Sequence, residues 1–219
     1  MADQEAHGET DIRAVMFDFG GVISSSPFEA FARLETERNL PTDFIRTVNA
    51  TNPDTNAWAK LERSEVDIDA FVALWSAEAL ALGHTVDARE VLARLAGHIR
   101  PDMVAAVRSC RDAGLKTACL TNNFGSLDAA QSPEVLAVYE LFDAVLESRV
   151  LGFRKPDPRF YETACGAIGV TPPEVVFLDD LGINLKPARA MGMHTIKVSD
   201  PDQALHELAT LTGIAFTRS

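Results

Sequence analysis

The sequence predicts an α/β protein: a parallel sheet with helices on both faces, interrupted once by a block of helices. Three observations predict it. An apolar run, Ala14-Val15-Met16-Phe17, ends abruptly in Asp18 and is followed by Gly20-Gly21, the pattern of a buried strand that stops at the carboxyl edge of a sheet. From Arg100 onward, short apolar runs alternate with amphipathic helical segments, as expected for parallel strands joined by crossover helices. Between Phe28 and about His98 no Val/Ile-rich run occurs. That block reads as an insert of roughly 70 residues, long enough to pack several helices. The 219 residues thus divide into a core, 1–24 and 99–219, and a helical insert, 25–98.

Each element follows from local chemistry. The polar Met1–Asp11 segment reads as a frayed tail without a signal-peptide core. Gly20 and Gly21 allow a sharp turn and a close approach of backbone to a ligand, and Ser24-Ser25-Ser26-Pro27 continues as a turn. Within the insert, Phe28, Phe31 and Leu34 mark one helix face, Phe44, Ile45 and Val48 another, and Phe71, Leu74, Trp75 and Leu82 a longer stripe. Asn49 to Asn56 is a polar turn around Pro53. Phe71 and Trp75 are assigned to helix packing. Trp58, directly after the polar turn, is the one insert aromatic with any claim to a pocket, and packing is the simpler reading for it too. Pro101 suits the first position of a helix that Gly114 closes. Strands follow at Leu115–Leu120, Ala144–Leu146, Val175–Leu178 and Thr195–Val198. Between them lie a helix opening near Ser132-Pro133, one capped by Asp157 before Pro158, one from Asn184 to Met191, and a last one capped by Asp200 that runs to about Leu211. Thr171-Pro172-Pro173-Glu174 is a capping-box turn.

Composition narrows the partners. Twenty basic against 32 acidic residues give a net charge of −12, which argues against nucleic acid as the principal partner, because phosphate backbones require clustered Lys and Arg. No apolar run reaches membrane-spanning length. Cys110, Cys119 and Cys165 have no CxxC spacing and read as free thiols in a reducing, cytoplasmic setting. His84, His98, His194 and His206 show no metal-ligand spacing.

The polar residues at the predicted strand ends are more informative. Asp18 ends the first strand, Thr121-Asn122 the second, Lys155 lies in the loop beyond the third, and Asp179-Asp180 end the fourth. In an open parallel sheet these carboxyl ends share one crevice. Each group alone is ordinary turn chemistry; four in series at one edge are not. Together they offer a carboxylate nucleophile, hydroxyl and amide donors, one ammonium and a pair of acids. Phosphoryl transfer needs such a set, because the transferring group is an anion that must be positioned and neutralised. Three acids around one site also call for a divalent cation, and an all-oxygen donor set suits Mg²⁺.

The four segments resemble the motifs of the haloacid dehalogenase (HAD) superfamily: Phe17-Asp18-Phe19-Gly20-Gly21-Val22, Leu120-Thr121-Asn122-Asn123, Arg154-Lys155-Pro156-Asp157-Pro158, and Phe177-Leu178-Asp179-Asp180-Leu181-Gly182-Ile183-Asn184-Leu185. From about Arg13 to Leu211 the chain is most similar to the branch that holds the N-terminal phosphatase domain of soluble epoxide hydrolase and the HAD domain of certain acyl-CoA dehydrogenase fusions. The resemblance implies a Rossmann-like core with an inserted α-helical cap, and a Mg²⁺-dependent phosphomonoester hydrolase acting on a small phosphorylated substrate. It implies that Asp18 forms an aspartyl-phosphate, that Thr121 and Asn122 bind the phosphoryl group, and that Lys155 neutralises both. It implies that Asp18, Asp180 and the carbonyl of Gly20 hold the metal, with Asp179 and Asn184 behind them.

Gly20 is the departure. Most phosphatases of the superfamily carry a second Asp two residues after the nucleophile, as general acid and base, a role typically worth about 10²–10⁴-fold. Three readings follow: a phosphatase that obtains its proton elsewhere, a non-catalytic binding protein on the same scaffold, or a metal-independent dehalogenase. The intact Asp18, Thr121, Lys155 and Asp180 weigh against the second. The paired acids, purposeless without a metal, weigh against the third.

Overall fold

The structure, a computed structural model, describes residues 11–95, 97–123 and 132–216. The predicted frayed tail lies outside them, Asp11 excepted. Among the described residues five strands form one sheet: β1 Ala14–Asp18, β2 Lys116–Thr121, β3 Ala144–Glu147, β4 Val175–Asp179 and β5 His194–Lys197. All pairs are parallel and the order is β3-β2-β1-β4-β5. Alternation along β1 sends Val15 and Phe17 to one face and Ala14 and Met16 to the other. Helices α6 (Pro101–Asp112) and α11 (Pro201–Thr212) cover the first face; α9 (Pro158–Ile168) and α10 (Gly182–Ala190) cover the second, and the shorter α7 (Pro133–Tyr139) and α8 (Ser148–Leu151) precede and follow β3. The result is the predicted Rossmann-like, three-layer core.

The helix starts are those the sequence marks. Pro101, Pro158 and Pro201 open their helices, the Asp157 side chain accepts from the backbone of Arg159, and Asp200 accepts from Asp202 and Gln203. In the turn before β4, Glu174 Oε2 accepts from both the amide and the hydroxyl of Thr171, each at 2.7 Å. Helix α10 begins two residues earlier than expected, at Gly182. The amide of Leu181 is tied to Asp179 Oδ1 at 2.8 Å, so the chain turns into the helix as soon as it leaves the strand.

Among the described residues five α-helices lie between β1 and α6: α1 Phe28–Glu37, α2 Phe44–Ala50, α3 Ala57–Glu62, α4 Ile68–Ala81 and α5 Ala88–Ala93. They pack around their own apolar cluster, centred on the fully buried Phe71 and Trp75. The predicted stripe on α4 is corrected in detail: Leu74 and Leu82 are 36% and 40% exposed, and Ala79 is buried instead. Phe71, Trp75 and Ala79 follow a strict four-residue spacing, a narrow seam that suits a helix gripped by α3 and α5.

The insert joins the core through two neighbouring segments. Ser24 and Ile99 form an isolated antiparallel bridge. Ser25 N–H donates to His98 O at 2.9 Å and Arg100 N–H to Ile23 O at 2.8 Å. A Cβ on Gly97 would stand 2.7 Å from Ser25 O, so these two segments touch at a position only glycine fits.

Candidate active site

Register explains why the polar groups meet. Asp18 lies opposite Leu120 on β2, and Phe17 opposite Leu178 on β4, so Asp18, Thr121 and Asp179 leave the sheet within one residue of each other. Oxygens of Asp18, Asp179 and Asp180 lie within 4.8 Å of one another. Lys155 reaches into this cluster from the loop before α9. Its Nζ is 2.9 Å from Asp18 Oδ1 and 2.8 Å from Asp179 Oδ2, and the side chain is fully buried. Burial alone would pull the ammonium down, but Asp179 and then Asp18 outweigh it and hold it above the ordinary lysine value.

The carboxylates differ in what they have left to offer. Asp179 is saturated: Lys155 and Asn184 bond Oδ2, while the Leu181 amide and Asn184 bond Oδ1. Asn184 is itself held through its carbonyl, which accepts from the buried Tyr161 hydroxyl at 2.6 Å. Asp18 uses Oδ1 for both the Phe19 amide, 2.6 Å, and Lys155. Its Oδ2 has no hydrogen-bond partner among the described residues. Desolvation first, then Asp179, pushes the Asp18 carboxyl up, against the pull of Lys155. The same two causes raise Asp180 to about 6. One ammonium among three acids leaves an excess of negative charge, and the donors are all oxygen. That set fits a hard divalent cation.

Asn122 and Lys155 are strapped together. Asn122 Nδ2 donates to Lys155 O and Lys155 N–H to Asn122 Oδ1, both at 2.9 Å. The Asn122 amide is therefore engaged in positioning the lysine backbone, while the Thr121 hydroxyl has no side-chain partner among the described residues. Asn123, one residue on, bonds the hydroxyl of Ser148 through its backbone, with N···Oγ 3.0 Å and Oγ···O 2.9 Å, and the Glu147 carboxylate through its side chain. This brace was not anticipated, although the strand-end rule applied to Ala144–Leu146 would have pointed to Glu147 and Ser148.

The two glycines play different parts. Gly21 has φ +78°, and a Cβ there would stand 2.3 Å from Asp180 Oδ2. Gly20 has φ −70° and ψ 129°, ordinary for any residue, and a Cβ there would meet nothing within 4 Å. The sequence treated both as turn chemistry; only Gly21 needs to be glycine.

Above these groups lies a cavity of about 700 Å³ lined by both the core and the insert. Asp18, Gly20, Thr121, Asn122, Lys155, Asp180 and Asn184 line its floor. Trp58 lines its wall and donates from Nε1 to Glu62 at 3.0 Å. Arg154 pairs across the cavity wall with buried Glu62 of the insert. Cys110, Cys119 and Cys165 are buried free thiols; burial pushes Cys110 up to about 12 and Cys119 further, which makes them inert. Among the described residues no helix is long and apolar enough to cross a membrane.

Known proteins resemble this chain. The chain is 33% identical over 216 residues to acyl-CoA dehydrogenase family member 10 of Mus musculus, covering 94% of this chain and 20% of that protein. It is 30% identical over 217 residues to bifunctional epoxide hydrolase 2 of Sus scrofa, covering 93% and 39%. It thus spans a fifth and two fifths of these two relatives. A sesquiterpene phosphatase of Aspergillus oryzae, astK, is 28% identical over 206 residues, covering 93% of this chain and 98% of that one. Among solved structures, a dehalogenase superposes with TM-score 0.64 at 22% identity over the full length of both chains; at that identity the likeness speaks for the fold. The model of the haloacid dehalogenase-like hydrolases matches residues 12–192, a span that carries all four polar strand ends, and the chain belongs to that family.

Proposed function

We propose that this hydrolase is a Mg²⁺-dependent phosphomonoesterase with Asp18 as nucleophile, working in a reducing, cytoplasmic compartment. The observation that carries the reading is Lys155, buried and bonded to both Asp18 and Asp179 beside a third carboxylate. A cationic donor fixed against a nucleophile oxygen, with the second oxygen free, suits attack on an anion. Relatives named as phosphatases support it.

In this reading Asp18 Oδ2 attacks phosphorus, the ester P–O bond breaks, and an aspartyl-phosphate forms. Water then hydrolyses that acyl phosphate, releasing phosphate and restoring Asp18. Lys155 favours the ionised form of Asp18 and screens the phosphate oxygens, and Thr121 donates its hydroxyl to them. Asn122 holds Lys155 by its backbone and adds its own main-chain amide. Asp18, Asp180 and the Gly20 carbonyl would hold the Mg²⁺, which supplies charge neutralisation for the phosphoryl group. Saturated Asp179 supports Lys155 and α10, and Asn184 supports Asp179. No side chain at position 20 protonates the leaving oxygen, so that proton comes from another donor, a water or a group of the substrate. The helical insert acts as the cap over the site, residues 25–98 against a core of 1–24 and 99–219.

The test is phosphate release from a panel of phosphomonoesters, with and without EDTA, in wild type and Asp18→Asn. Activity that survives either change rejects the mechanism. Saturable phosphate-ester binding without any turnover would instead favour a binding protein.

A further inference from the structure

We propose, resting on the hydrolytic reading above, that the Tyr139 hydroxyl is the proton donor to the leaving oxygen, the part that Gly20 leaves unfilled. Tyr139 is the last residue of α7. Its ring meets that of Phe19 edge-on, with centroids 5.2 Å apart. Phe19 stands between the nucleophile and Gly20 in the chain, and its amide bonds Asp18 Oδ1 at 2.6 Å. The phenol is thereby set beside the turn that carries both positions, and Tyr139 lines the cavity above it. The chain has two tyrosines, and their hydroxyls are used differently. That of Tyr161 is buried and donates to Asn184 O at 2.6 Å. That of Tyr139 has no hydrogen-bond partner among the described residues. A tyrosine hydroxyl in such surroundings normally finds a partner in the protein; here the cavity is where one can stand.

The other proton-bearing groups of the wall suit the task less well. Ser24 Oγ gives its proton to Phe19 O at 3.3 Å, and the remaining serine hydroxyls are alcohols, weaker acids than a phenol. The Glu62 carboxylate is spent on Trp58 and Arg154. Arg46, also in the wall, carries a guanidinium, which does not release a proton. Burial first, then Cys119, pushes the Tyr139 phenol above its ordinary value, and the charge of Asp18 bears on it too. Its proton is therefore present throughout the neutral range. An alkoxide is more basic still, so transfer runs toward an alkyl leaving oxygen as it departs. Asp18 Oδ2 bonds to phosphorus, the ester P–O bond breaks, and the phenol proton passes to the departing oxygen, which leaves as the neutral alcohol. The phenolate then takes a proton from the water that attacks the acyl phosphate. Phosphate is released, and Asp18 and Tyr139 return to their starting forms. A phenol is a weaker acid than a carboxyl group, so esters with good leaving groups keep an advantage in wild type.

The experiment compares wild type with Tyr139→Phe, which removes the hydroxyl and keeps the ring against Phe19. The readout is kcat/KM, which includes departure of the leaving group, across ring-substituted phenyl phosphates and short alkyl phosphates of graded leaving-group pKa. The expected result is a loss on alkyl phosphates at least about tenfold larger than the loss on p-nitrophenyl phosphate, and at most the roughly 10²–10⁴-fold of general acid catalysis. A plot of log kcat/KM against leaving-group pKa should therefore steepen in the variant. A merely structural role would lower every ester alike and leave the slope unchanged. Gly20→Asp, added to Tyr139→Phe, should make the slope shallow again, because a carboxyl then supplies the proton. No loss in Tyr139→Phe, or an equal loss across the series, with p-nitrophenyl phosphate still hydrolysed, overturns this inference alone. No turnover of any ester by wild type overturns the hydrolytic reading and this one with it.

Discussion

The Cα of Gly21 and the carboxylate of Asp180 are packed so closely that a single methyl group between them would lie 2.3 Å from Oδ2. Gly21 also holds φ +78°. Gly21→Ala therefore meets two penalties, a strained backbone of roughly 1–3 kcal/mol and a displaced Asp180. A misplacement on the order of 1 Å costs about 10²-fold in rate. We expect phosphatase activity to fall by at least that factor while the variant still folds, measured as kcat/KM beside a urea unfolding curve. Wild-type activity in Gly21→Ala would mean that Asp180 does not serve the chemistry.

Gly20 lacks both constraints. Its backbone suits any residue and the space beyond it is open. Gly20→Asp should fold without steric strain and place a fourth carboxyl at the cavity floor. In wild type, esters with good leaving groups should turn over much faster than alkyl esters, because nothing at position 20 protonates the departing oxygen. The variant should narrow that aryl-to-alkyl ratio, by at most the 10²–10⁴-fold typical of general acid catalysis. A ratio already near one in wild type would show that another donor has been recruited.

Asp180 predicts a pH dependence. Its folded value of about 6 lies above the ordinary 3.8, so between those values the native state holds a proton that the unfolded chain has lost. Stability of the metal-free protein therefore falls as pH rises through that window. Asp180→Asn removes the share of that dependence that Asp180 contributes and leaves the share of Asp18. In EDTA the variant should gain little over wild type near pH 4 and roughly 2–3 kcal/mol at about pH 7.5, read from urea unfolding. Adding Mg²⁺ at the higher pH should stabilise wild type and not the variant. Parallel pH profiles for the two proteins would remove the basis for this.

Much of this was legible because burial on both faces forces continuous apolar runs on the strands, and parallel pairing forces their ends to one edge. Asp18, Thr121, Lys155 and Asp179 could be placed together without any coordinates. The insert was harder. Short helices such as α3 and α5, of six residues each, carry too few turns for a period to show. The Leu74 and Leu82 misreading arose because α4 is apolar nearly all round, so its buried seam is set by its neighbours. Contacts between distant segments left no local trace: Glu62 finds Arg154 across 92 residues of chain, and Trp58 faces the cavity because Glu62 anchors its indole. The different needs of Gly20 and Gly21 rest on backbone angles and on Asp180, neither of which a Gly-Gly pair announces.

The bridge between Ser24 and Ile99 bears on how such a protein can diversify. The insert departs and returns through one doorway, two segments side by side, so the core meets it much as it would meet a hairpin loop. Strand order, register and all four polar strand ends lie outside that doorway. A different insert, longer, shorter or absent, could be spliced at the same two points without retying the sheet. The machinery of the floor and the choice of what sits above it are then separable traits, free to change at different rates.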